Sequence, residues 1–298
     1  MNPRRKFRLR LPTRMLTLGE RTLVMGVVNV TADSFSDGGR YLAADAAVRH
    51  GIELARAGAD IVDIGGESTR PGSRPTPVEV ELERVIPVLK KLRGRLKVPL
   101  SIDTRRASVA EAAAGAGAEI LNDTSGLRDD PLLAEVARRH RLAVILMHRR
   151  GEPENMQKGP FARDVMKDVR AGLAAYARRA EDAGILRSRI MLDPGIGFGK
   201  RFPQNFELLA RLADLAELGY PIVVGPSRKG FIGHALGGVP ARQRAWGTAA
   251  AVTAAILNGA HVVRVHDVAE MAQVARVADE LLAAFRRSTT PRRSGKRG

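Results

Sequence analysis

The chain has 298 residues, 44% of them hydrophobic, enough to bury the core of one large domain. It contains no cysteine, which excludes disulfides, a thiolate nucleophile and a cysteine metal site, and suits the cytoplasm. Of its formal charge of +17, most sits in Arg4, Arg5, Lys6, Arg8, Arg10 and Arg14 at one end and Arg286, Arg287, Arg292, Arg293, Lys296 and Arg297 at the other. Arginine also outnumbers lysine 40 to 9 throughout, a compositional bias. We therefore expect a basic extension over 1–13, a single unit over 14–285 and a basic, disordered tail over 286–298, and no dedicated nucleic-acid surface. No apolar run approaches the roughly 20 residues of a membrane span, and the basic N-terminus, broken by Pro3 and Pro12, lacks the apolar stretch of a secretory signal.

In chain order, residues 15–18 and 21–23 flank Gly19 and Glu20, a turn with glycine first that predicts a type II′ hairpin able to plug the bottom of a barrel. Short apolar runs then predict strands over 24–30, 61–64, 100–102, 119–121, 143–147, 190–192, 221–224 and 261–265. Helical patterns of suitable length lie between them. Thr76, Pro77 and Glu79 have the spacing of a capping box with proline at the first helical position. Later helices are predicted over 107–116, 131–140, 162–184, 205–219, 242–258 and 268–285. This βα alternation implies a parallel sheet. An open doubly wound sheet gathers its ligand residues at one switch point, whereas here nearly every strand ends on a polar residue, so the fold class expected is an α/β (β/α)8 TIM barrel.

The strand ends carry the candidate chemistry. Asp103, Asn122 and Asp193 end the third, fourth and sixth strands and place two carboxylates and an amide in the barrel mouth. Any one such acid reads as a helix cap or an arginine partner. Together they suit a heterocycle with a ring N–H beside an exocyclic amine, which offers two parallel donors to one carboxylate. On the last strand Arg264 and His266 alternate and face the same side, as two donors to a phosphate would. Ser227, Arg228, Lys229 and Gly230 lie where barrels often bind phosphate. Residues 195–200 resemble a phosphate-binding loop only superficially, because Pro194 and Arg201 occupy the positions of its first glycine and its Ser or Thr. Asn29, a neutral oxygen donor after the first strand, suits Mg²⁺ shared with substrate phosphate, or simply a turn.

Residues 29–39 (NVTADSFSDGG), 65–72 (GGESTRPG), 101–104 (SIDT), 193–200 (DPGIGFGK), 227–229 (SRK) and 264–267 (RVHD) resemble the dihydropteroate synthase family, in that family's order. The resemblance implies displacement of pyrophosphate from 6-hydroxymethyl-7,8-dihydropterin pyrophosphate by p-aminobenzoate, with Mg²⁺, sensitivity to sulfonamides and a homodimer built through exterior helices. It assigns Asp103, Asn122, Asp193 and Lys229 to the pterin; Asn29, Thr69, Arg264 and His266 to pyrophosphate; and Asn29 to the metal. Phe35, Thr69, Arg70, Pro71, Phe198, Ser227 and Lys229 would shape the aminobenzoate site. Arg264, His266, Lys229 and Asp37 would serve the reaction itself.

Ala32 stands where the family usually has proline, Pro226 where it has an ordinary residue, and Arg149 and Arg150 add charge after His148. The small-residue stretch 247–255 suits close packing against another helix or against the sheet. Three rival functions are a methyltetrahydrofolate-corrinoid methyltransferase, an inactive pterin-binding paralogue, and nucleic-acid binding through the tails.

Overall fold

The computed structural model describes residues 4–30, 40–67, 75–152 and 154–289. A two-stranded antiparallel hairpin, β1 (Phe7–Arg10) and β2 (Met15–Leu18), precedes eight parallel strands: β3 (Leu23–Asn29), β4 (Ile61–Gly65), β5 (Leu100–Asp103), β6 (Ala118–Asp123), β7 (Ala143–Met147), β8 (Ile190–Asp193), β9 (Val223–Val224) and β10 (Val262–Val265). They run in the order β8-β7-β6-β5-β4-β3-β10-β9, and a parallel bridge between Leu192 and Ile222 joins the two ends into a barrel. Helices α1 (Arg40–Arg56), α2 (Val78–Arg93), α3 (Ala107–Ala116), α4 (Leu133–Arg139), α5 (Val165–Asp182), α6 (Phe202–Ala210), α7 (Gly230–Ala235), α8 (Ala245–Leu257) and α9 (Val268–Thr289) surround it.

The strands are almost continuously apolar because both of their faces are buried. Alternate side chains divide between two cores. Val24, Val28, Ile64, Ile102, Leu121 and Val263 point outward and pack with helix residues such as Leu89, Leu173 and Val252. Met25, Ile61, Ile120, Ile145, Met191 and Val262 point inward, where Leu9, Leu11 and Leu18 of the hairpin join them. The hairpin thus plugs the barrel floor, and the polar mouth lies at the other end of the same interior.

Several local expectations are corrected. The hairpin pairs β2 with β1, Phe7 opposite Leu18 and Arg10 opposite Met15, and not with residues 21–23. Leu23 is taken instead by the barrel, opposite Val262, and Gly19 turns the chain out of the hairpin close against the Arg5 carbonyl. The ordered chain therefore begins well before residue 14, and Arg4 is buried, donating to Thr22 Oγ1 (2.6 Å) and to the Ala260 carbonyl (2.9 Å) and pairing with Asp279. At the start of α2 no capping box forms: the Thr76 N–H donates to Glu67 (3.0 Å) and Pro77 precedes the helix without a side-chain cap. The predicted helix 205–219 divides into α6 and a 3-10 segment, Leu212–Leu218. At the C-terminal end α9 carries Arg286 and Arg287 in its last turn.

Candidate active site

Strand register assembles the mouth. Asn29 lies opposite Gly65, Gly65 opposite Asp103, and Asp103 opposite Asn122, so one rung of four neighbouring strands carries three of the expected polar residues. Gly65 leaves the space between them open, since a methyl there would lie 3.5 Å from Asp103 Cβ and 3.9 Å from Asn29 Oδ1. One rung deeper is Asp63, fully buried and not anticipated from sequence. Arg264 reaches across from β10, donating through Nε to Asp63 Oδ2 (2.7 Å) and through Nη2 to Asp103 Oδ2 (2.7 Å). Asn122 donates to the same Asp63 oxygen at 3.1 Å. Asp63 therefore orients both. The only trace of this role in the sequence is an acid at an inward position of the apolar run 61–64.

Crowding charge into a dry barrel shifts its proton affinities. Burial pushes Asp103 up to about 7, against the pull of Arg264 and with repulsion from Asp63. Burial works against the Arg264 charge, but Asp63 and Asp103 outweigh it and hold the guanidinium firmly protonated. Its Nη1 has no partner among the described residues. Asp193 accepts the Gly195 N–H (2.7 Å), yet burial pushes it up to about 6. Burial and then Arg264 push Lys229 down to about 8, opposed by Asp193 and Asp103, and its Nζ rests 4.0 Å from the centre of the Phe198 ring. Phe198 packs against Met147 and Met156.

At the ends of β9 and β10, His266 donates its backbone N–H to Ser227 Oγ (3.2 Å), and its Nδ1 lies 3.1 Å from the same oxygen. Burial, then Arg264, Arg228 and Lys229, push His266 down to about 3, so it is a neutral imidazole. Arg228 sits at φ +60, a strained conformation for a long side chain. Asp267 pairs with its guanidinium (Nε to Oδ2, 3.1 Å), Thr248 accepts its N–H (3.1 Å) and Arg244 donates to its carbonyl (2.9 Å). This turn directs Arg228 away and leaves Ser227 and Lys229 at the mouth.

Other strand-end residues have structural partners. Asp123 accepts the N–H groups of Ser125 (2.7 Å) and Leu127 (2.5 Å). Glu67 pairs with Arg105 and Arg106. Arg149 is held by Asp129 and Glu152, and Arg150 by Asp168, so neither adds free charge to the mouth. Phe35, Asp37, Thr69, Arg70 and Pro71, with Ala32, lie outside the described residues. Among the described residues no cluster of three or more carboxylates or histidines could enclose a metal ion.

An eight-stranded parallel barrel whose strand ends hold buried carboxylates, an amide and two cations has the form of the barrel enzymes, whose active sites lie at that mouth. Comparison with known proteins narrows that class. The family described as pterin binding enzyme matches residues 25–266. A Synechocystis dihydropteroate synthase is 47% identical over 263 residues, covering 88% of this chain and 91% of its own length. The solved Xanthomonas albilineans dihydropteroate synthase with 4-aminobenzoic acid superimposes with a TM-score of 0.86 at 44% identity, covering 96% of this chain and 100% of that one. The Burkholderia cenocepacia enzyme complexed with 7,8-dihydropteroate gives a TM-score of 0.84 at 43% identity, covering 94% and 98%. The chain belongs to the pterin-binding enzymes, on their dihydropteroate synthase branch.

Proposed function

We infer that the chain condenses 6-hydroxymethyl-7,8-dihydropterin pyrophosphate with p-aminobenzoate, giving 7,8-dihydropteroate and pyrophosphate in folate biosynthesis. The observation that carries this reading is the convergence of Asp103, Asn122, Asp193, Lys229 and Arg264 within one barrel mouth. Asp193 and Asp103 both gain from N–H donors, because burial disfavours their bare charge. A pterin's amidine-like edge supplies such donors, while Asn122 completes donor and acceptor positions and Lys229 donates to a pterin oxygen or ring nitrogen.

The pterin C–O bond breaks with its electron pair departing on pyrophosphate, and the aminobenzoate nitrogen lone pair forms the new C–N bond before that nitrogen loses a proton. Arg264 through Nη1, which has no hydrogen bond among the described residues, and a neutral His266 N–H stabilise the leaving group. His266 is suited to hydrogen bonding and not to charge. Ser227, Phe198 and Lys229 form the described side of the aminobenzoate site, to which family resemblance assigns Phe35, Thr69, Arg70 and Pro71 as well, with Asp37 assigned to the reaction.

Asn29 is a single neutral oxygen donor beside Asp103, which fits a cation that takes most of its ligands from water and phosphate. Mg²⁺ is the expected ion, held by Asn29 and the substrate pyrophosphate, where it would neutralise charge developing on the leaving group. Pyrophosphate release in the presence and absence of EDTA tests this: we expect release to require added Mg²⁺, and Asn29→Ala to raise the concentration needed.

For assembly, exposed Phe202, Phe206, Leu236 and Trp246 on and beside α6, α7 and α8 form the face we assign to a homodimer. The small-residue stretch of α8 serves the chain itself, since a methyl on Gly247 would strike Ile232 of α7. No helix among the described residues is long and apolar enough to cross a membrane. A cytoplasmic location is proposed on the cysteine-free composition and the polar substrates.

The deciding assay measures pyrophosphate and dihydropteroate formed from dihydropterin pyrophosphate, with and without p-aminobenzoate. We expect release coupled one-to-one to dihydropteroate and inhibited competitively by a sulfonamide. A protein that binds the pterin but shows no aminobenzoate-dependent turnover is the inactive paralogue instead.

A further inference from the structure

Residues 195–200 fail as a phosphate-binding loop, and their geometry gives the reason. Gly195, Gly197 and Gly199 all have positive φ, at +68, +85 and +67. A side chain at Gly195 would collide with the His148 carbonyl, and one at Gly199 with that of Arg150. A phosphate loop turns its backbone N–H groups inward to meet an anion. Here the loop presents carbonyls, and they meet the loop's own cation.

The Lys200 side chain is buried, and its Nζ donates to the carbonyls of Gly195 (2.9 Å), Phe198 (3.0 Å) and His148 (3.2 Å). His148 Nδ1 lies 3.2 Å away, on an imidazole kept neutral first by burial and then by Lys200 itself. Burial pushes Lys200 down to about 7, against the pull of Asp193 and Asp168, and its amino group ties the loop after β8 to the segment leaving β7. The fixed residue between these ties is Phe198, whose ring carries Lys229 on one side and packs on Met147 and Met156. Asn205 secures the opposite turn by accepting the Gly197 N–H (2.6 Å).

We propose that Lys200 is a positioning residue for the aminobenzoate step: its N–H donors hold the carbonyl cradle that sets the Phe198 ring against Lys229. This rests on the assignment of Phe198 to the aminobenzoate site. Lys200 touches neither substrate. Its effect therefore falls mainly on p-aminobenzoate; Asp193 feels the Lys200 charge and accepts the Gly195 N–H, but its place is set by the strand end, so the pterin side moves less.

Lys200→Met keeps the length and apolar stem and removes every donor. In the folded variant the KM for p-aminobenzoate rises about tenfold, the loss expected from charged hydrogen bonds, while dihydropterin pyrophosphate affinity, measured by calorimetry without aminobenzoate at pH 8 where Asp193 is ionised, falls less than threefold. In a Phe198→Ala background the same substitution has little further effect on that KM, because its intermediary is already gone. Should Lys200→Met not fold, Lys200→Gln, which retains two N–H donors, gives the same split at smaller amplitude. Unchanged KM, equal losses for both substrates, or full additivity with Phe198→Ala overturns the proposal. Wild-type protein lacking aminobenzoate-dependent turnover would overturn the underlying functional reading instead, so the two failures are distinguishable.

Discussion

The floor and the mouth of the barrel both take charge out of water, and they dispose of it differently. At the floor Arg4 is met by Thr22, the Ala260 carbonyl and Asp279, and Asp279 also accepts the Thr22 N–H at 2.7 Å. Thr13 and Arg14 in the hairpin turn are anchored on Glu119 of β6. There each ion has an opposite partner, although burial lowers the proton affinity of Arg4 and leaves its Nε without a hydrogen bond among the described residues. At the mouth, Asp103 and Asp193 retain a raised affinity for protons, Lys229 a lowered one, and Arg264 is bonded among the described residues through Nε and Nη2. Charge paired within the closed floor serves stability, and charge gathered at the open mouth marks where a ligand belongs.

The sharpest way to break that contrast is Arg264→Ala. It removes a donor to the leaving group and also strands Asp63 and Asp103, so we expect aminobenzoate-dependent pyrophosphate release to fall by about 10²–10³-fold or more. Turnover within tenfold of wild type would mean that the mouth has been misread. Asp279→Ala makes the reciprocal cut at the floor. Unpairing buried Arg4 and the Thr22 N–H is expected to cost about 1–3 kcal/mol of stability, read as a lowered melting temperature, with kcat unchanged. A loss of kcat without a loss of stability would dissolve the distinction between the two ends.

The smallest effect is a pH dependence. Asp193, pushed up by burial to about 6 from the ordinary 3.8, holds its proton more tightly folded than unfolded. Its contribution to the stability of the ligand-free fold is complete below about pH 4 and disappears as pH rises through about 6. A pterin donating N–H groups needs the ionised carboxylate, so pterin affinity should rise several-fold between pH 5 and 7 while thermal stability declines. Asp193→Asn should flatten both curves, and a variant that keeps them would assign the titration to another group.

The barrel strands are legible in sequence because burial on both faces leaves uninterrupted apolar runs, and their ends because the mouth must be polar. Legibility fails where a residue answers to a distant partner. Residues 7–10 alternate Leu9 inward with Arg8 and Arg10 outward, a pattern that composition alone turns into a basic tail. Thr76 has the spacing of a cap, but Glu67 competes for its N–H. Asp63 is one acid among aliphatics, and only the arrival of Arg264 from a strand 201 positions later gives it a role. Lys200 is conspicuous in sequence for a chemistry that it does not perform.

The clamp between Arg4 and Asp279 joins positions 275 residues apart, and that separation bears on how the molecule is made. A chain emerging from the ribosome completes β1, β2 and most of the barrel strands before α9 exists. Until α9 docks, Arg4 has no carboxylate, and closing so long a loop is among the slower events in assembly. The Arg4–Asp279 clamp is thus among the last contacts to be secured, and a nascent chain arrested short of α9 would keep its apolar hairpin plug while leaving Arg4 without its carboxylate.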